Sequence, residues 1–366
     1  MTAFEPLAET SSARNGRGPG QDRSLVVGVD IGGTKTAILV CDRDGRQVAR
    51  HIAPTALGAP DRAADAIASL VLAALAQAGG SRGDVRVVGV GVPGRVDPAR
   101  GEVSLAVNLG WQALPLGPQL TARLGRPVVL ENDVRAAVLG LHRRRVFGDL
   151  PSLGLLAIGT GISAGGVVAG ELHRGAHGRA GEIGHAVLDR TGPRCACGLR
   201  GCLEAIAAGP AILARALDAW TAAGTGPAAG GSEPPGAEAV FEAAAAGDPV
   251  AGDIIDTAGR AIAWGVHVLA LAYDLEHIVI GGGVSHAGEP FMAPIRRELD
   301  RYRAESPLAA EILRPDLVQL LPPGADAGVW GAVTIAREAL GLGSGSLGRP
   351  AEPPAVAPQG REVGQA

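Results

Sequence analysis

Leu25-Val26-Val27-Gly28-Val29-Asp30-Ile31-Gly32-Gly33-Thr34-Lys35-Thr36-Ala37-Ile38-Leu39-Val40-Cys41 is the stretch on which the architecture turns. The apolar run Leu25–Asp30, ending in a carboxylate, reads as a buried strand, and Thr36–Cys41 as a second strand returning from a Gly-Gly turn. Outward from it, Asp42-Arg43-Asp44-Gly45 is a hairpin turn into a third strand near Gln47–Ile52. Asp61–Ala78 places Ile67, Leu70, Val71, Ala74, Leu75 and Ala78 at helical spacing, and Arg86–Val92 returns as a strand ending at Pro93-Gly94. Three meandering strands, a helix and a further strand make one α/β unit.

The pattern then restarts. Leu153–Ile158 is a strand, Gly159-Thr160-Gly161 a turn, and Gly165–Ala169 a returning strand with Glu171-Leu172-His173 beyond it. An apolar helix over Thr257–Tyr273 feeds the strand His277–Ile280 and the turn Gly281-Gly282-Gly283. Two similar halves, each opening on a strand, a Gly turn and a strand, predict a duplicated α/β architecture with a cleft between them.

The chain has 366 residues, 46% hydrophobic and 19% charged, with a net charge of −4. That suffices for a substantial core in two domains, expected at 24–149 and 150–342. Residues 1–23 and 343–366 read as disordered tails, and 224–236 as a surface loop. Mild acidity provides no basic field for nucleic acid and no polybasic membrane anchor. Residues 1–22 lack an apolar signal-peptide core, and the longest apolar stretch, Ala261–Tyr273, is interrupted by His267. A cytoplasmic protein without nucleic-acid or membrane partners is expected.

Glycine turns let backbone N–H groups approach a polyphosphate without Cβ interference. Gly32-Gly33-Thr34 and Gly159-Thr160-Gly161 offer one per half, placed to grip a nucleotide tail from both sides. The alternative for either alone is a tight hairpin without a ligand. Asp30, at the strand end, suits a magnesium ion that bridges phosphate oxygens. Lys35, the one lysine in the chain, is either a charge beside the phosphates or a solvated turn residue. Neither turn is a Walker motif, and no Gly-x-Gly-x-x-Gly opens a helix.

Val128-Val129-Leu130 reads as a short strand leading into Glu131-Asn132-Asp133 and a helix from about Val134. Asp133 there is either a capping carboxylate or a general base for a substrate hydroxyl. Asn132 offers a donor and an acceptor to a polyol. Glu182, His185 and Glu204 are candidates for further hydroxyl contacts. So is Asn108, with Trp111 beside it as a packing platform. Finally, Cys195-Ala-Cys197-Gly-Leu-Arg-Gly-Cys202, ten positions after His185, presents three thiolates and an imidazole. That is the donor set of a closed, structural zinc site, with Gly198 and Gly201 allowing the sharp turns. A disulfide or free thiols are the alternatives. A zinc module over 185–204 would fix the carboxylates of Glu182 and Glu204.

The turn Val29–Lys35, the segment Leu130–Asp133, the run Gly181-Glu182-Ile183-Gly184-His185 and the Cys-x-Cys-Gly-x-x-Gly-Cys-x-Glu block together resemble the ROK family of repressors, open reading frames and sugar kinases. The resemblance spans nearly all of 24–342. It implies the duplicated actin-like ATPase (ribonuclease H-like) fold, two lobes around a cleft, and ATP-dependent phosphorylation of a hexose. It places Asp133 as the catalytic base and Asn108, Asn132, Glu182, His185 and Glu204 at the sugar. Zinc falls to His185, Cys195, Cys197 and Cys202, and Gly282 and Gly283 lie near the adenosine. It also suggests a homodimer. Glucose with its 6-hydroxyl as acceptor is the expected substrate; N-acetylglucosamine, N-acetylmannosamine or a non-catalytic sugar sensor is the alternative, and polyphosphate stays open as donor. Repressors of the family carry a helix-turn-helix domain ahead of the first turn, and 24 residues are too few for one. Three departures stand out: Val134-Arg135 where the family often has Ala-Asn, Ile162-Ser163-Ala164-Gly165 after the second turn, and Ala208-Gly209 where Ser-Gly is common. Arg135 is expected to alter the sugar pocket or hinge, and Ile162–Ala164 to stiffen the turn.

Overall fold

The computed structural model describes residues 23–55, 60–224 and 236–342. The tails expected at 1–23 and 343–366 and the loop at 224–236 fall, apart from their edge residues, outside that range.

The first half runs β1 (Leu25–Ile31), β2 (Lys35–Cys41), β3 (Gln47–Pro54), α1 (Pro60–Gln77) and β4 (Val85–Val92). A small meander of β5 (Arg95–Asp97), β6 (Glu102–Ala106) and β7 (Trp111–Leu114) precedes α2 (Leu116–Leu124), β8 (Val128–Asn132) and α3 (Asp133–Arg143). Its main sheet has the order β3-β2-β1-β4-β8, with β1–β3 antiparallel and β4 and β8 parallel to β1. The second half runs β9 (Leu153–Ile158), β10 (Ile162–Val168), β11 (Glu171–Leu172), α4 (Leu203–Ala207), α5 (Gly209–Ala223), α6 (Ala237–Ala245) and α7 (Pro249–Tyr273). It ends with β12 (His277–Gly281), α8 (Glu289–Glu305), α9 (Pro307–Ile312), β13 (Val318–Leu320) and α10 (Ala327–Ala339). Its sheet, β11-β10-β9-β12-β13, repeats the order and senses of the first. The duplicated mixed α/β design is therefore present strand for strand.

Several boundaries differ from expectation. β10 starts at Ile162, paired to Ile158, so Ile162-Ser163-Ala164 is strand and the turn is confined to Gly159–Gly161. The apolar helix begins at Pro249 because Asp248 caps it, accepting from the N–H groups of Val250 and Ala251, with Pro249 in the first turn. This α7 is long and apolar enough to cross a bilayer by length and composition, yet 61% of its most apolar window is buried within the fold. The meander β5–β7 was not anticipated, because three strands of three to five residues carry too little alternation to register.

The described residues form three apolar cores. One fills the first half beneath α1 and α2, and one surrounds α7 in the second. The third lies between the halves, where Val26, Leu39 and Val87 meet α3 and α10, with Leu155 and Val279 of the second sheet on the far side. Helix α10 seats on the first sheet because Gly28 and Gly89 leave room for it: a Cβ on either would run into its backbone. Chain order places α10 with 150–342, but its packing is against β1, β4 and α3. The contact delivers the α10 N-terminus to the end of β1.

Candidate active site

Every residue expected to hold phosphate converges. The β1–β2 turn closes with Gly32 N–H donating to the Lys35 carbonyl at 2.9 Å. Thr55 braces it from behind, its N–H donating to the Thr34 carbonyl (2.9 Å) and its hydroxyl to the Gly32 carbonyl (2.8 Å). The opposing turn closes with Gly159 N–H on the Gly161 carbonyl at 3.0 Å. The two face one another: a Cβ on Gly33 would lie 4.0 Å from Thr160 Oγ1. Gly282 and Gly283 complete the group, since a Cβ on Gly159 would lie 3.7 Å from the Gly283 nitrogen. Lys35 is exposed at the rim, close enough for its charge to act on Asp30.

Asp30 and Asp133 sit together at the strand ends. Gly91 of β4 separates them, and a Cβ there would be 3.6 Å from Asp30 Oδ1 and from Asp133 Cα. Burial, then the Asp133 charge, raises the Asp30 carboxyl to about 7; Lys35 opposes this and Asp326 adds to it. Burial raises Asp133 to about 6, against hydrogen bonds from backbone N–H groups and the Arg135 charge, with Glu182 pushing the same way as burial. Asp133 is not the helix cap. Asn132 caps α3, its side-chain oxygen accepting from Arg135 N–H at 3.0 Å. Its amide nitrogen donates to Asp133 Oδ1 (2.9 Å) and the Gly94 carbonyl (3.1 Å). The carboxylate is thereby oriented yet left available.

Sequence reasoning missed Asp326 and Gly328. Asp326 precedes α10, pairs with Arg50 at 2.7 Å and raises Asp30. The only local signal was Pro322-Pro323-Gly324-Ala325-Asp326 ahead of an apolar helix. Gly328, in the first turn of α10, lies against the Asp30 carboxylate, and a Cβ there would collide with its oxygens. Gly328→Ala is therefore expected to displace Asp30 from the strand end and to lower Tm by a few degrees through overpacking. A melting curve identical to wild type would show otherwise.

The expected cation, Arg135, turns inward. Its Nε donates to Glu131 Oε1 at 2.8 Å and its Nη1 to the Gly178 carbonyl at 3.1 Å. Arg174 Nε donates to Glu131 Oε2 at 2.6 Å. Glu131 and Arg174 were also missed, because their partnership spans 43 residues of sequence.

The remaining expected sugar contacts differ in exposure and surroundings. Asn108 is exposed on a single helical turn, Val107–Leu109, two residues past Ala106, whose Cα a Cβ on Gly94 would touch. Trp111 is instead buried in the first core and offers no sugar platform. Glu182 is exposed, close enough to act on Asp133. Glu204 Oε2 accepts from Ile162 N–H at 3.0 Å, which holds it against the Gly159–Gly161 turn and leaves Oε1 for a ligand.

The cysteine block forms one cluster. Ligand atoms of His185, Cys195, Cys197 and Cys202 all lie within 4.8 Å of one another. Cys197 and Cys202 sulfurs are 3.7 Å apart, as are Cys195 Sγ and His185 Nδ1. A zinc–sulfur bond of about 2.3 Å implies tetrahedral edges of about 3.8 Å, so the donor set fits zinc. A disulfide sulfur pair would sit at about 2.05 Å, which excludes that alternative. Gly198 and Gly201 take left-handed conformations, φ +97° and +66°, as the spacing suggested.

A sequence profile of the ROK family matches residues 26–339. The glucokinase of Thermotoga maritima is 33% identical over 325 residues, spanning 86% of this chain and 98% of its own. The N-acetylmannosamine kinase of Yersinia pestis is 32% identical over 261 residues, 71% of this chain and 83% of its own. Among solved structures, a ROK family glucokinase from Streptomyces griseus in complex with glucose and AMPPNP superposes with a TM-score of 0.71 at 34% identity, covering 86% of this chain and all of that one.

Proposed function

The chain belongs to the ROK family, and on that footing we propose that it is an ATP-dependent hexose kinase that phosphorylates the 6-hydroxyl of glucose, with Asp133 as general base. The observation that carries the reading is the convergence of two facing glycine turns with Asp133 held at the strand ends beside them. The Thermotoga maritima and Streptomyces coelicolor glucokinases match over 98% of their length, and the Streptomyces griseus enzyme is seen with glucose and an ATP analogue.

In this reading Asn132 Nδ2 orients Asp133, whose free oxygen takes the hydroxyl proton as the alkoxide attacks the γ-phosphate in line. Backbone N–H groups of Gly32–Thr34 and Gly159–Gly161 take the phosphates, Lys35 adds charge, and Gly282 and Gly283 border the adenosine. Asn108, Asn132, Glu182, Glu204 and His185 hold sugar hydroxyls. His185 serves twice: Nδ1 faces the sulfurs, which leaves Nε2 for a hydroxyl. Asp30 fits magnesium, because a recessed carboxylate raised to about 7 is a negative charge short of a cation. When bound, the ion neutralises phosphate oxygens. Zinc on His185, Cys195, Cys197 and Cys202 is structural, since four protein ligands leave no open position. The reading also makes the protein a homodimer in the cytoplasm.

An ADP-release assay with Mg-ATP against glucose, mannose, fructose, N-acetylglucosamine and N-acetylmannosamine tests the assignment. Glucose preference is expected. Preference for N-acetylmannosamine would shift the substrate to that of the Yersinia relative, and no turnover by zinc-replete protein would indicate a sugar sensor.

A pH dependence follows. A base raised to about 6 must lose its proton to work, so kcat/KM for the sugar should climb about tenfold per pH unit below 6 and flatten above about 7. A flat profile from pH 5 to 8 would remove Asp133 from that role. Stability runs the opposite way. Asp30 and Asp133 bind protons more tightly in the folded chain than in the unfolded one, so they destabilise the nucleotide-free protein as pH rises from about 4 through about 7.

A further inference from the structure

We propose that Arg174 and Arg135, gathered on the buried Glu131, are positioning residues for sugar binding: they clamp the segment carrying Glu182 against the N-terminus of α3. This inference rests on the kinase reading for its consequence, but the clamp itself can be tested without it.

Glu131 is only 1% exposed, so its charge must be answered inside the protein. Oε1 accepts from Asn132 N–H at 2.9 Å and Arg135 Nε at 2.8 Å, and Oε2 from Arg174 Nε at 2.6 Å. Asn132 and Arg135 belong to the first half. Arg174 belongs to the second, just past β11. Arg135 makes a second tie in the same direction through Nη1 to the Gly178 carbonyl at 3.1 Å. Gly178 lies beside β5, where a Cβ would be 3.6 Å from the Val96 carbonyl. A third point follows at Gly181, whose carbonyl accepts from Ala164 N–H at 2.8 Å in β10. Residues 174–181 are thus pinned at 174, 178 and 181, and Glu182 comes next.

Among the described residues, no hydrogen-bond donor holds the Glu182 carboxylate. Its place near Asp133 is set by the backbone that delivers it, and that backbone is held by the two arginines. Arg135 is an expensive way to fill the space: Nη2 is buried with no acceptor among the described residues. An apolar side chain would avoid that cost, and a buried ion group of this kind contributes more to placement than to stability. The nucleotide turns at Gly32–Thr34, Gly159–Gly161 and Gly282–Gly283 take no part in the network. The clamp should therefore act on sugar affinity and not on nucleotide affinity.

The test is Arg174→Ala in the full-length protein, with Arg174→Lys as conservative rescue; in both, Glu131 keeps Arg135 as a partner. Expected for Arg174→Ala is a glucose KM raised about tenfold, an ATP KM within about twofold of wild type, and kcat changed little. Arg174→Lys should recover part of the glucose KM, and the Tm of Arg174→Ala should stay close to wild type because Arg135 still answers Glu131. Hydrogen exchange should quicken over 178–185 and stay unchanged over 159–161. An unchanged glucose KM overturns the proposal. So does a rise in both KM values together with a lowered Tm, because that would be a folding effect. If the wild type phosphorylates no sugar, the kinase reading fails by itself; unaltered exchange over 178–185 would overturn the clamp even then.

Discussion

Asp133→Asn is expected to lower kcat by about 10²–10⁴-fold while leaving the sugar KM within a few-fold of wild type. The amide keeps the volume and one hydrogen-bonding oxygen, so the contact with Asn132 Nδ2 survives, but it cannot accept the hydroxyl proton. The same substitution should raise thermal stability near neutral pH. It removes a charge that burial disfavours and that repels Asp30 across Gly91. Loss of turnover with gain of stability is the signature of a group kept for chemistry. Residual kcat within tenfold of wild type would end the general-base assignment, and a lowered Tm with lost activity would point to a structural carboxylate.

Cys197→Ser is the second large effect. Cys197 is the exposed member of the cluster, so its replacement disturbs metal binding with the least direct damage to the core. Zinc content should fall well below one per chain. Loss of a structural metal typically costs more than about 4 kcal/mol, which for a chain of this size lowers Tm by about 5 °C or more. The kinetic effect should be one-sided. His185, Glu182 and Glu204 border the module, so sugar KM rises, whereas the facing glycine turns keep their geometry and ATP KM holds. Full metal content with unchanged kinetics would show that the four residues are not the ligand set.

Much of this site could be read from the chain because its signals are local. The strand–turn–strand runs at Leu25–Cys41 and Leu153–Val168 announce themselves by apolar continuity broken at glycines, and three cysteines within eight residues have few uses besides a metal. Trp111 went the other way. Next to Asn108 it looked like a platform for a sugar, and the short meander β5–β7 buries it instead.

The sequence alone determined the repeated order of elements, the placing of Asp30 and Asp133 at strand ends, and the composition of the cysteine cluster. Each depends on neighbours a few residues apart, where periodicity and spacing are physical constraints. Tertiary structure decided what surrounds those groups. It brought Gly328 and Asp326 to Asp30 because Gly28 and Gly89 let α10 lie on the first sheet, and it gave Glu131 an arginine from 43 residues away. Such pairings leave no local pattern, since two side chains meet there only after the sheets have formed and the halves have closed upon their shared core.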